Sequence, residues 1–386
     1  MTDDLFRADA YLRTCEARIL RIDDTGIVLD RTVFYPLGGG QAGDTGVLAL
    51  ADGRELAIAD TRKAKNEEGQ PTNEFVHVPA EGQADLLAAL GGEDSLRSRL
   101  LLQWRVPRVL AAALVGALLG LSGAIFQGVF RNPLAEPYLL GASGGAALGA
   151  TVALLVPMHL LFGLSQAWTL PVLAFAGAWG STVLVLAVSR VAGATDAAGM
   201  LLAGVALAAV LGALRSFLML ALSDETVSLQ VVLSWVLGGI QTPSWSGLGL
   251  LAGASLACLA GAMALARGLD LLGLEQDAAQ GFGLDVARFT PLAVLAGSLV
   301  VAVAVAYGGL VAFVGLAAPH IARWMAGPLH RAALPASALT GAIIVTLADA
   351  IARSVLPPAE IPLGLVTAVA GGPFFIVLLA RRLRSA

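Results

Sequence analysis

Residues 267–288, RGLDLLGLEQDAAQGFGLDVAR, form the longest charged interruption in an otherwise apolar C-terminal run. Apolar segments lie on both sides, each about 20 residues long, the length that a bilayer core requires. A polar, part-helical insert between two such segments belongs in water at a membrane face. Working outward from it, apolar stretches at 107–130, 138–158, 168–191, 199–222, 245–266, 290–308, 309–325, 334–354 and 364–382 predict about nine membrane helices. Gly, Ala and Ser crowd these stretches, as close helix packing in lipid demands. The fold class that follows is an all-α polytopic membrane protein with a small, mostly β, soluble domain at its N-terminus.

Composition agrees. Hydrophobic residues make up 57% of the 386 and charged residues 13%, outside the usual range for a soluble protein. The charge is unevenly placed: residues 1–95 hold 9 basic and 18 acidic side chains, whereas the remainder holds 15 and 10. Such asymmetry predicts two regions in two solvents. Cys15 and Cys258 lie in different halves and match no CxxC pattern, which argues against a structural disulfide and against cysteine-based metal or redox chemistry. The N-terminal MTDDLFRADA has acidic residues where a secretory signal needs a basic patch and an apolar core.

Within residues 1–81, the short runs EARILRI, GIVLD, GVLAL, ELAIAD and EFVHV, separated by Asp, Gly, Asn and Pro clusters, predict a β unit. Between the second and third runs comes TVFYPLGGGQAGDTG, residues 32–46. With the preceding VLD and the VHV around His77, this string resembles the alanyl-tRNA editing proteins and the matching domain of alanyl-tRNA synthetase, over roughly residues 11–78. In that family hydrolysis uses a metal held by a paired HxxxH on one helix face, with a later Cys and His. The four histidines here, His77, His159, His320 and His330, include no pair four residues apart. The expectation is a truncated editing-like domain without hydrolytic activity or a metal.

Residues 82–386 form the second predicted domain. Its first part, 82–104, suits a short amphipathic helix at an interface, broken by Gly91–Gly92. Arginine sets the orientation, because this part contains no lysine. Taking alternate connections, nine arginines, Arg131, Arg267 and Arg288 among them, fall on one face. Five, including Arg105, Arg108 and Arg353, fall on the other. The majority face is expected to be cytoplasmic, together with the 267–288 insert and the C-terminus.

Several strings accumulate in a fixed order: RVPRVLAAALVGALLGLSGAIFQGVFRNPLAEPYLLGASGGAALGA from residue 105, LLAGVAL from 201, WVLGGI from 235, GGLVAFVGLAAPHIAR from 308, LADAIAR from 347, EIPLG from 360 and GGPFFIVLLARR from 371. Together they resemble the permease subunit of the ABC importers for iron-siderophores, haem and cobalamin. That family has ten membrane helices, and the resemblance begins at the second. Independently, the only lysines are Lys63 and Lys65, and neither sits in a Gly-x-x-x-x-Gly-Lys loop, so this chain has no P-loop of its own.

The resemblance implies a homodimer in the inner membrane, with separate ATP-binding-cassette subunits that hold ATP and magnesium. It also implies a periplasmic or lipoprotein substrate-binding protein, with no cofactor in this chain, no nucleic acid and no enzymatic activity. Leu271, Gly273, Glu275, Gly281, Gly283 and Arg288 match the ATPase-coupling segment, two short helices turned by glycines. Arg105, Arg108 and Arg353 match arginines that pair with carboxylates of the binding protein, a task suited to the guanidinium fork. Asp196, Ala197, Ala198 and Gly199 fall at the family's cytoplasmic gate. Arg215 and Asp349 are expected as a buried pair, and His320 and His330 as packing or interface residues. Iron-siderophore is the expected cargo, with haem and cobalamin as alternatives. Two rival readings stand beside it: a membrane-tethered alanyl-tRNA editing hydrolase, and a non-functional fusion.

Overall fold

The computed structural model describes residues 2–9, 11–23, 26–37, 43–50, 55–65, 71–80, 102, 105–156, 166–194, 196–222, 229–274, 276–356 and 360–385. The GGGQ string, most of the 82–104 stretch and Glu275 lie outside the described residues. The chain divides into two units, Met1–Trp104 and Arg105–Ala386.

All five predicted strand regions of the first unit form strands. These are β2 (Ile19–Asp23), β3 (Gly26–Leu29), β5 (Gly46–Ala49), β6 (Glu55–Lys65) and β7 (Pro71–Pro79). They build one antiparallel sheet in the order β2-β3-β7-β6-β5. Two further pieces escaped the sequence pattern because they are two residues long: β1 (Asp3–Asp4) pairs in parallel with β4 (Arg31–Thr32). Helix α1 (Leu5–Ala8) brings Phe6 edge-on to Tyr35 and Phe75. Ile27 and Leu29 of β3 pack on Leu56 and Ile58 of β6, which is why alternate residues of β6 are apolar.

The second unit is helical: α2 (Val106–Val129), a 3₁₀ turn (Pro137–Leu140), α3 (Ala142–Leu155), α4 (Gln166–Val191), α5 (Ala197–Leu222), α6 (Leu229–Val236), α7 (Trp245–Leu272), α8 (Gln276–Gly281), α9 (Val286–Gly308), α10 (Val314–Ala326), α11 (His330–Ser354) and α12 (Leu363–Ser385). Each of the nine predicted segments carries a helix. Among the described residues, six helices are long and apolar enough to cross a membrane: α2, α4, α5, α7, α9 and α11.

Two segments are shorter than expected. The 138–158 stretch begins with the 3₁₀ turn, so its helix starts only at Ala142. The 309–325 stretch is non-helical until Val314, because Phe313 adopts a left-handed conformation at φ 66°. Side chains from the distant connection between α2 and α3 hold this break open: Tyr138 Oη accepts the Val311 N–H (3.3 Å), and Glu136 Oε1 accepts the Phe313 N–H (3.0 Å). Those amides would otherwise be orphans at a helix start.

The most extensive helix pairing is α2 with α11. The two run antiparallel, since Arg108 near the start of α2 meets Asp349 near the end of α11, while Gly128 meets His330 at the other extremity. In lipid, burial of leucine against leucine gives little drive for association, so small residues that permit close approach carry the packing. Ser337 and Gly341 of α11 face Gly120 and Gly116 of α2 in this way. By contrast, α5 packs on α3 and α4 along one side and has few fully buried residues within the chain.

Candidate functional site

The residues singled out in the sequence fall at two opposite ends of the helical unit. At one end is the polar insert, smaller than its sequence suggests. Helix α7 continues through Leu272, so Arg267 and Leu271 belong to its last two turns, and Leu271 is half-buried. Only residues 273–285 lie between α7 and α9. Among the described residues they contain one short helix, α8, in place of the two expected. Gly273 caps α7, Gly281 ends α8, and Gly283 turns the chain at φ 83°, a conformation that disfavours side chains. Asp285 caps α9 by accepting the Arg288 N–H (3.2 Å), and its carboxylate pairs with the exposed Arg288 guanidinium. Phe282 and Leu274 are exposed, which leaves apolar side chains of the insert uncovered within the chain.

The base of this insert is tied down by contacts between helices. Asp270, in the last turn of α7, accepts both the backbone N–H of His330 (2.9 Å) and its ring Nδ1–H (2.7 Å). Helix α11 has no side-chain cap of its own, so a carboxylate from another helix caps it. The Arg131 guanidinium donates to the Leu274 carbonyl (3.3 Å), linking the insert to the end of α2. Nearby, Gln127 donates to the Leu316 carbonyl and accepts from Arg323, which joins α2 to α10. His330 is therefore an interhelix tie, and His320 packs edge-on against Trp324 and Phe374.

At the opposite end stands a charge cluster. Arg108 of α2 and Arg353 of α11 are brought together by Asp349, which is almost fully buried. Its Oδ1 receives Arg108 (3.1 Å to Nη2), and its Oδ2 faces Arg353 Nε at 3.1 Å. The Arg108 fork also grips Glu360 through both Nη atoms, at 3.0 and 2.8 Å. The expected Arg215–Asp349 pair does not form: Asp349 is committed to Arg108 and Arg353, and Arg215 lies on α5. The charges, though not their pairing, are visible in the chain. Arg108 and Arg353 flank apolar spans and need carboxylate partners, and Asp349 and Glu360 are the acids nearest in sequence to Arg353. Arg105 precedes α2 and is exposed.

The cluster borders a cavity of about 690 Å³ whose walls include Trp168, Trp235, Gln241 and Tyr307. Its irregular floor is held by backbone bonds, Gly239 N to Gly308 O and Leu363 N to Gly238 O among them. The Asp196–Gly199 string forms the start of α5. Asp196 Oδ1 accepts the Gly199 N–H (3.2 Å) as a helix cap, and Ala197 and Ala198 are exposed.

In the N-terminal unit, His77 is fully buried with both ring nitrogens engaged. Nδ1–H donates to the Ile27 carbonyl (3.0 Å), which fixes the tautomer, and Nε2 accepts from Thr32 Oγ1 (2.7 Å). Thr32 in turn accepts the Phe34 N–H (3.1 Å). Burial pushes the imidazole below its ordinary pKa, partly offset by the bond to Ile27. Among the described residues, no three His, Cys, Asp or Glu side chains stand close enough to hold a metal ion.

Comparison with known proteins fits this geometry. Residues 76–381 match the FecCD transport family, and residues 10–73 match the class II (A) tRNA synthetases. Over 302 residues the chain is 38% identical to the ABC transporter permease protein YvrB of Bacillus subtilis, covering 77% of this chain and 83% of that one. It is 40% identical to the Fe(3+)-citrate import system permease protein YfmE of the same organism, covering 72% and 80%. It is 39% identical to the hemin transport system permease protein HmuU of Yersinia pestis, covering 72% and 82%. A solved metal-chelate type ABC transporter in an inward-facing conformation superposes with a TM-score of 0.67 at 33% identity, over 76% of this chain and 91% of that one. The fold and these matches define a multi-pass membrane transport protein. The chain belongs to the FecCD transport family and is an ABC transporter permease.

Proposed function

We propose that this chain forms the translocation path of an importer for iron-siderophore complexes in the inner membrane. It would work as a homodimer, with two separate ATPase subunits on the cytoplasmic face and a substrate-binding protein on the other. The observation that carries this reading is the two-ended layout: an exposed, turn-rich insert at one end of the bundle and a pair of clamped arginines at the opposite end. Leu274, Gly281, Phe282 and Gly283 supply a small knob for the ATPase; Arg105, Arg108 and Arg353 supply cations for the binding protein's carboxylates. Helix α5, with few fully buried residues and led by the Asp196–Gly199 cap, offers a face for the second copy and for the gate. The Fe(3+)-citrate, hemin and cobalamin names among the relatives favour a chelated metal as cargo.

The test is reconstitution in proteoliposomes with the ATPase and binding protein, following ATP-dependent uptake of ferric siderophore, haem and cobalamin. Accumulation without the ATPase, or labelling of a cysteine at Asp277 from the binding-protein side, overturns the reading. The match of residues 10–73 to tRNA synthetases favours a second reading, editing of mischarged alanyl-tRNA. With both His77 nitrogens committed to the fold, we expect a deacylation assay with added zinc to show no turnover.

A further inference from the structure

Asp349 and Glu360 share Arg108, yet their surroundings differ. The Asp349 side chain is 2% exposed and contacts two arginines on two different helices. The Glu360 side chain is 52% exposed and, among the described residues, pairs with Arg108 alone, by a two-point grip on the guanidinium. A buried carboxylate between two cations is costly to remove, because it would leave uncompensated charge in an apolar setting. An exposed carboxylate on one guanidinium is held weakly, since water and salt compete with it.

We propose that Glu360 is an exchangeable occupant of the Arg108 fork. On this view an acidic side chain of the docking protein takes the same two hydrogen bonds when the complex forms, while Asp349 stays in place and holds Arg108 and Arg353 at fixed spacing. The inference rests on the reading of this end as the binding-protein face. Among the described residues, three arginines, Arg105, Arg108 and Arg353, stand here against two carboxylates, Asp349 and Glu360, an excess of one positive charge. When Glu360 swings away a second is exposed, and the fork geometry already matches a carboxylate. The partner chemistry is therefore a protein surface bearing Asp or Glu at a spacing set by the Asp349 clamp. Asp349 is a positioning residue, and Glu360 is a built-in competitor. Because exchange replaces one pair with a like pair, it makes docking weaker and more readily reversible than an empty fork would.

The experiment measures binding-protein affinity for the complete transporter in nanodiscs, at low and at physiological salt. Glu360→Gln removes the competing charge and keeps the shape. Docking should tighten about two- to fivefold, the factor that an exposed pair supplies, with the gain shrinking as salt rises. Arg108→Ala is the companion variant and should abolish tight docking. If Arg108→Ala weakens docking while Glu360→Gln leaves it unchanged or weaker, exchange is overturned and the docking face stands. If Arg108→Ala has no effect on docking, both fall. Circular dichroism and size-exclusion profiles matching the parent protein establish that each variant is folded.

Discussion

Gly116 and Gly341 face one another where α2 crosses α11, so closely that a Cβ on either would overlap the other's carbonyl oxygen. The contact is backbone against backbone, and no rotamer change can relieve an added methyl. Gly341→Ala should therefore lower thermal stability in detergent by about 1–3 kcal/mol. Gly253→Ala, in α7 where nothing lies within 4 Å of the new atom, should be neutral or slightly stabilising through helix propensity. Equal melting temperatures for the two variants would contradict the packing account.

Removing the carboxylate of Asp349 leaves Arg108 and Arg353 without their shared buried partner. Asp349→Ala should cost about 3–5 kcal/mol, read as loss of the folded, monodisperse species. A combined Arg108→Met and Asp349→Leu variant should recover much of that stability without recovering docking.

The cap that Asp270 provides for α11 gives a graded series. Asp270→Ala should cost about 0.5–2 kcal/mol, and Asp270→Asn less, because asparagine is itself a good cap. Uptake per ATP hydrolysed should fall in the alanine variant while ATP turnover persists. Unchanged uptake per ATP would remove Asp270 and His330 from the coupling route.

Gly281 and Gly283 are separable in the insert. A Cβ at Gly281 meets nothing within 4 Å, whereas Gly283 sits at φ 83°. Gly281→Ala should transport normally. Gly283→Val forces a β-branched residue into a left-handed turn at a cost of about 1–3 kcal/mol and should uncouple hydrolysis from uptake. Gly281→Pro, which cannot donate its backbone hydrogen within α8, should uncouple as well.

For the N-terminal unit, folding keeps the His77 ring neutral, while the unfolded chain takes up a proton below about pH 6.5. The unfolded state then binds more protons, so stability is fully present above that pH and declines as pH falls through it. Hydrogen exchange of the β3 and β7 amides in the full chain should accelerate between pH 6.5 and 5, after correction for intrinsic rates. Thr32→Val, which strands His77 Nε2 and the Phe34 N–H, should cost about 1–3 kcal/mol at any pH.

Much of this architecture is legible in the residues themselves. Apolar length places every long helix, and short runs bounded by turn residues place the five strands. The failures have local physical causes. Residues 309–325 read as a continuous span because nothing in that string shows that Glu136 and Tyr138, far back in sequence, will hold its first amides. The insert reads as longer than it is because a helix can keep winding through Arg267 and Asp270 once it leaves the apolar layer. Pairing is harder to read than presence: Arg108, Asp349 and Arg353 are all visible as charges near apolar spans, but which acid meets which base depends on α2 and α11 running antiparallel. His330 reads as a packing or interface residue for the same reason, because its tie to Asp270 is tertiary.

The antiparallel α2–α11 pair has Arg108, Asp349 and Arg353 at one tip and His330, reached by Asp270, at the other. Two helices locked through backbone contacts at Gly116, Gly120, Ser337 and Gly341 slide or bend poorly past each other, so they tilt as one lever. A displacement of one tip would then be expected to move the other, where the Asp270–His330 tie meets the base of the insert.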